Sequence, residues 1–439
     1  MKKLSKIVIA FVTAALFIIP NFAFAADVSS TVGVEATAFS NNEAKNLSDQ
    51  CVYQLGNSII GNSSRLYDEY YETSYDVYNW NELSISWDDK VNVSFILVEF
   101  TRDPQEYEIK QFDKDDQLIS ARNGLDAMVN DIEYVSKETR KVSIVPKDTV
   151  TVCGLKAYDA GTLKDRHKWN PTPDKLDYLV VATHPDDDVI FLGAIIPTYT
   201  GEYGLVGSSL VMTSTSRIRR DEYLNGEWAL GQRTAPLAAR FPDIASSANA
   251  PANTSFNDDA LTRYLVRIFR KYKPEVVFTQ AQNGEYGHWQ HRKISKCVFA
   301  AVPLASNENY DKDSIEQYGA WDVKKLYIHL YEENQIFIDV SVPLEAFARQ
   351  TAFDVATEAF ECHASQHTGR HWVKNEGVYS MTDFGLAYTS VGNDTYGVNN
   401  PFENTAVNNE KLQRNVFLQT FKTSAERLFK EMNSTNDDV

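Results

Sequence analysis

The chain has 439 residues, 43% of them apolar and 23% charged, with a formal net charge of −17. That length exceeds one ordinary hydrophobic core and predicts two domains of a soluble globular protein, not a disordered chain. The negative charge argues against nucleic acid or an anionic membrane as partner. It fits a neutral or cationic substrate, or solubility alone.

Lys2, Lys3 and Lys6 precede an apolar run from Ile7 to Pro20, and Ala23-Phe24-Ala25 is a small-x-small cleavage site. This is the pattern of a secretory signal peptide over residues 1–25; the alternative is an uncleaved anchor. Export predicts a secreted, periplasmic or cell-surface protein, free of the membrane after cleavage. Residues 26–50 are small and polar, a flexible lead-in.

Residues 51–163 read as a β-rich sandwich domain. Val91, Val93, Phe95 and Leu97 alternate with Asn92, Ser94 and Ile96, close to the period of a half-buried strand. Further strands are predicted over 107–112, 141–145 and 149–152, with a turn at 113–116. Tyr67, Tyr70, Tyr71, Tyr75, Tyr78, Trp80 and Trp87 crowd one stretch. Either they stack on sugars, as in a carbohydrate-binding domain, or they fill the core. Residues 164–175, with Pro171 and Pro173, read as a linker.

From residue 176 the texture changes. Tyr178–Ala182, Leu205–Met212 and Val276–Thr279 are continuous apolar strands of the kind buried on both faces of a parallel sheet. Helices are predicted over 219–230, 261–272, 294–304, 344–362 and 409–432. The alternation makes residues 176–439 an α/β domain with a parallel sheet. The four cysteines are predicted to pair as Cys51–Cys153 and Cys297–Cys362 in an oxidising compartment. None has the close spacing of a zinc site.

In such sheets functional groups gather beyond the carboxyl ends of strands. Strand 178–182 runs into His184-Pro185-Asp186-Asp187-Asp188, and strand 276–279 leads to Gly284-Glu285-Tyr286-Gly287-His288-Trp289-Gln290-His291-Arg292. His184, Asp187 and one or both of His288 and His291 then converge on one metal ion. Two imidazoles and a carboxylate leave a coordination position open for water. The alternative for the aspartates is a solvated helix N-terminus, favoured by the helix dipole.

These segments resemble the PIG-L/LmbE-like family of zinc-dependent N-acetylglucosaminyl de-N-acetylases. The family's strand runs into His-Pro-Asp-Asp-Glu, here with Asp188 last, and its second motif is Gly-x-x-x-His-Pro-Asp-His-Arg, here 284–292. Arg219-Arg220-Asp221-Glu222 before Leu230-Gly231, and His363-Ala364-Ser365-Gln366, are similar to two weaker motifs. The resemblance covers roughly residues 176–370. It implies a Rossmann-like parallel sheet and Zn²⁺ held by His184, Asp187 and His291. It further implies Asp186 as general base, His288 as oxyanion stabiliser or proton donor to the leaving amine, Tyr286 as an oxyanion donor and Arg219 as a substrate contact. The main departure is Trp289-Gln290 in place of Pro-Asp, which removes the carboxylate that would orient His288. Either the His288 pKa falls or another carboxylate such as Glu285 substitutes. Trp289 is either a sugar-stacking wall or helix-start packing. The function implied is a secreted deacetylase of N-acetylglucosamine-containing glycans. The alternatives are a catalytically weakened glycan-binding protein, or a zinc amidase acting on N-acyl amino acids or peptides. Iron or another divalent ion suits the same ligands.

Overall fold

Between Val52 and Tyr158, short strands pair only antiparallel, in two sheets. The computed structural model describes residues 42–416 and 418, apart from 127, 214, 245–254, 370 and 396–397. The expected signal peptide, most of the lead-in and the terminal helix beyond residue 416 lie outside the described residues.

One sheet has the order β2 (Ser58–Ile59), β1 (Val52–Leu55), β4 (Leu83–Ser86), β9 (Lys141–Pro146), β6 (Tyr107–Phe112), β7 (Leu118–Asn123). The other has the order β3 (Tyr75–Val77), β10 (Val150–Tyr158), β5 (Phe95–Phe100), β8 (Asn130–Tyr134). Leu83, Ile85, Ile109, Val142 and Ile144 of the first and Ile96, Val98, Phe100, Val152 and Leu155 of the second share one core. Strand β6 has its expected bounds, and the turn after it closes as Asp113 accepts from the amides of Asp115 and Gln117 at 2.8 and 2.9 Å. The alternation expected from Val91 is out of phase. The strand begins at Phe95 and is buried on both faces, because Phe95 and Leu97 pack outward against Ile132 and Tyr158. The crowded aromatics divide. Trp87 is buried and Tyr67 and Tyr75 pack on the core, whereas Tyr70, Tyr78 and Trp80 are exposed.

After residue 176 a seven-stranded sheet has the order β13 (Leu237–Phe241), β12 (Gly207–Thr213), β11 (Tyr178–Ala182), β14 (Val276–Thr279), β15 (Lys325–His329), β17 (Asp383–Thr389), β16 (Gln335–Phe337). The first five are parallel and the last two join antiparallel. Successive residues of β11 feed opposite cores. Tyr178, Val180 and Ala182 face one that includes α2 (Arg217–Ala229) and α6 (Ala352–Glu361). Leu179 and Val181 face the other, with α3 (Asp258–Tyr272) and α4 (Trp289–Ala305). That two-sided burial is why the strand reads as an unbroken apolar run.

Helix starts follow their caps. Ser216 accepts from the Arg219 amide, Asn257 from Ala260, and Thr351 with Asp354 forms a capping box. The helix expected from Leu344 therefore begins only at Ala352, after Ala348 and Arg349 take positive φ. The segment expected as a linker is anchored instead. Trp169 is buried, the Asn170 amide donates to Arg233, and the Asn170 carbonyl accepts from Ala235.

The expected disulfides are not formed, and all four thiols are free. Cys297 lies in the core of α3 and α4, while Cys362 ends α6 across the sheet. Cys153 sits at a bulge of β10, beside Arg217, Glu99 and Lys156, whereas Cys51 packs on the shared β core. Pairing by nearness in sequence overlooked which side of a sheet each thiol occupies.

Charges bridge the β-rich block to α2. Arg220 donates to both oxygens of Asp103 at 3.0 and 2.9 Å. Buried Glu99 meets Lys156 at 2.9 Å, Arg166 at 3.0 Å and Arg217 at 3.5 Å, and Asn130 donates to Asp221 at 2.8 Å. Burial would raise the Glu99 carboxyl, but Arg166 and Lys156 hold it below its usual value.

Candidate metal centre

Strand order reverses between β11 and β14, the position where such sheets gather functional groups beyond the strand ends. The turn leaving β11 is pinned on both sides. The Thr183 amide donates to Gln280 Oε1 at 2.7 Å, and the Thr183 carbonyl accepts from the Thr213 amide and hydroxyl, both at 3.0 Å. Asp186 then takes φ 146°, a left-handed backbone that only glycine adopts freely, and α1 (Asp187–Ile190) begins. The buried carboxylates of 186 and 187 sit at that bend.

Both predicted loops meet there. His184 Nδ1 lies 2.9 Å from Asp187 Oδ2, His291 Nε2 lies 3.1 Å from the same oxygen, and the two ring nitrogens are 3.2 Å apart. Donor atoms at about 2.0 Å from a tetrahedral ion are about 3.3 Å apart, so this triangle has the size of three zinc ligands. His288 joins the cluster, with ring nitrogens of His184, His288 and His291 all within 4.8 Å of one another.

The charge pattern also fits a cation. Burial would raise the Asp187 carboxyl, but His291 and His184 hold it well below the usual range. Burial would lower His291, but Asp187 and Glu285 lift it to about 10. Protons on imidazoles thus balance buried carboxylates, and a dication supplies that balance while releasing them. Asp186 is pushed up to about 8 by burial and then by the charge of Asp187, against the pull of Arg219.

Arg219 donates to the Pro185 carbonyl at 3.0 Å and to Asp186 Oδ1 at 3.2 Å, and its other arm lies 3.6 Å from Asp243. It therefore holds the expected base. Burial and its two histidine neighbours lower His288 to about 4, and its Nδ1 is buried without a partner among the described residues. Of the two outcomes expected from Gln290, the lowered pKa is the one found. Gln290 Oε1 lies 3.2 Å from His184 Nε2 and accepts from the Ile244 amide at 3.1 Å, so it steadies His184. Glu285 serves His291 instead of His288. One of its oxygens is 2.9 Å from His291 Nδ1 and the other 2.8 Å from His329 Nδ1, while His329 Nε2 donates to the Ser380 carbonyl at 2.7 Å. Tyr286 stands with its ring 5.6 Å from that of His291, and burial keeps its hydroxyl protonated. Trp289 donates to the Ile244 carbonyl at 3.0 Å and packs on Phe256, the contacts of helix-start packing.

The two weaker motifs meet as well. Glu222 accepts from the amide and hydroxyl of Ser365 at 2.7 and 2.5 Å. Gly226 lies against buried His363 so closely that a Cβ there would sit 2.7 Å from Nε2. Gln280, Asp243 and His329 escaped the sequence reading, and Glu285, expected to serve His288, lies beneath His291 instead. Gln280 follows β14 and His329 ends β15, so the strand-end rule that found His184 points to both.

Residues 179–302 match a family model, PIG-L, described as GlcNAc-PI de-N-acetylase. A 1D-myo-inositol 2-acetamido-2-deoxy-alpha-D-glucopyranoside deacetylase of Rhodococcus opacus (strain B4) is 29% identical over 34% of this chain and 59% of its own. Its counterpart deacetylase 1 from Catenulispora acidiphila is 26% identical over 42% of this chain and 64% of its own. The chain thus spans under two thirds of these relatives' length. The solved N,N'-diacetylchitobiose deacetylase from Pyrococcus horikoshii aligns at 19% identity over 45% of this chain and 73% of that one, with a TM-score of 0.35.

Proposed function

Since residues 179–302 are a PIG-L family segment, we propose that the chain is a metal-dependent hydrolase that removes the N-acetyl group from N-acetylglucosamine-containing glycans outside the cell. The observation that carries this is the triangle of His184, Asp187 and His291 with Asp186 beside it. Zinc is the ion we assign, because two imidazoles, one carboxylate and an open position are a catalytic zinc donor set. Bound by His184, Asp187 and His291, such an ion would supply a water of pKa about 7 and Lewis acidity toward the acetyl carbonyl.

The chain's own groups do the rest. Asp186 takes the proton of the attacking water, with Arg219 fixing its Oδ1. Neutral His288 donates a hydrogen bond to the carbonyl oxygen as charge develops, and the Tyr286 hydroxyl is the second donor. The proton that Asp186 takes from the water goes to the leaving amine, directly or by way of His288.

We read the seven-stranded sheet with its helices as a Rossmann-like catalytic domain over 176–439, and the two antiparallel sheets as a sandwich domain over 51–163. Exposed Tyr70, Tyr78 and Trp80 support a carbohydrate-binding role for the latter, the last two stacked at 4.8 Å and 4°. Residues 1–25 are the proposed export signal.

The test is acetate release from N-acetylglucosamine oligomers with and without a chelator. Asp186→Asn is expected to keep the metal and lose about 10²–10⁴-fold in turnover; full activity would remove the base assignment. The unpartnered Nδ1 of His288 favours one second reading, a glycan-binding protein of weakened activity. Oligomer binding with bound metal but no acetate would select it.

A further inference from the structure

We infer that residues 371–379 carry an outer sugar subsite beside the metal centre, so that the substrate is a glycan oligomer and not a free monosaccharide. The inference rests on the deacetylase reading and names its substrate class. Starting from the triangle, the Tyr286 ring lies 5.6 Å from that of His291 and 6.0 Å from that of His288. Tyr286 stacks on His371 at 4.7 Å and meets Tyr379 edge-on at 6.4 Å. Lys374 Nζ then sits 5.8 Å from the Tyr379 ring and 5.2 Å from that of Trp372. Rings therefore run from the metal-site histidines to Tyr379, and the Lys374 ammonium bridges Tyr379 to Trp372.

Trp372 is 53% exposed, Tyr286 44% and Val378 69%. Exposed aromatic side chains linked to a candidate reactive site mark a binding surface. A pyranose suits it. The C–H face of the sugar lies on the indole, and its hydroxyls accept from Lys374, which offers only donors. A lipid tail would leave that ammonium unsolvated against hydrocarbon. The segment lies outside residues 179–302, the span of the family match.

The experiment compares the wild type with Trp372→Ala and Trp372→Phe on N-acetylglucosamine and on its tetramer. It uses acetate release and, independently of turnover, calorimetric binding of the tetramer. The preference in kcat/KM for tetramer over monomer is expected to fall about tenfold in Trp372→Ala, together with a weaker tetramer Kd, and to recover largely in Trp372→Phe. An unchanged preference and an unchanged Kd would overturn the subsite. If the wild type releases no acetate yet binds the tetramer through Trp372, the deacetylase reading falls and the subsite stands. If it neither releases acetate nor binds the tetramer, both fall.

Discussion

Within the proposed metal centre, Glu285 would act on the ion without touching it. It is fully buried, holds His291 Nδ1 on one oxygen and His329 Nδ1 on the other, and is anchored by the Ala281 amide at 2.8 Å. Burial would raise its carboxyl, but His291 and His329 bring it down to about 2. Fixing the Nδ1 hydrogen toward Glu285 aims the Nε2 lone pair at the ion. Glu285→Gln is therefore expected to weaken metal binding by about 10–100-fold, read by competition with a chelating dye. His363 makes a second prediction at this scale. It is buried with both ring nitrogens unpartnered among the described residues, and burial lowers it to about 3. An unfolded histidine takes its proton near pH 6.5, so between about 6.5 and 3 the unfolded chain binds more protons. Stability is then complete above about pH 6.5 and falls as the pH drops, by at most about 1.4 kcal/mol per unit. Denaturant titrations of the wild type and His363→Phe at a series of pH values check this: the variant should show a shallower decline.

Helix α2 ties the motifs together. Its Glu222 clasps Ser365 and its Gly226 receives His363, so the segment after α6 is seated one turn from Arg219. Gly226→Ala puts a methyl carbon 2.7 Å from the His363 ring nitrogen and is expected to cost about 1–3 kcal/mol, measured by denaturant unfolding. Much of this region was legible in the sequence. His184, Asp187 and His291 stood out because each lies in a short motif just past an apolar strand, and strand ends in a parallel sheet share one rim. The strand bounds of β6 and β11 were legible because one alternates and the other is unbroken. The phase of β5 was not, since a strand buried on both faces has no period to read. The role of Glu285 was half legible. It was named as a substitute carboxylate, but which imidazole it meets depends on the positive φ of Tyr286, 47°, which no spacing reveals.

At the scale of the whole molecule, the β-rich block and the catalytic sheet are joined by buried charge. Nothing in the sequence marked Asp103, Glu99 or Arg217, and Arg220 stood in a motif that gave no hint of its partner, because ionic residues that meet only after folding look like any surface charges. Asp103→Ala would leave Arg220 buried without its partner and is expected to destabilise the chain by about 3–5 kcal/mol, read as a lowered unfolding midpoint. A charge-free core would have let the two blocks part as independent modules. Here Arg217 and Arg220, which face the β-rich block, stand on the same helix turn as Arg219, which donates to Asp186. Freed by a cut near residue 165, the catalytic half would present bare cations where it had matched ones. Removing the β-rich block is thus expected to unsettle the very helix that holds Asp186.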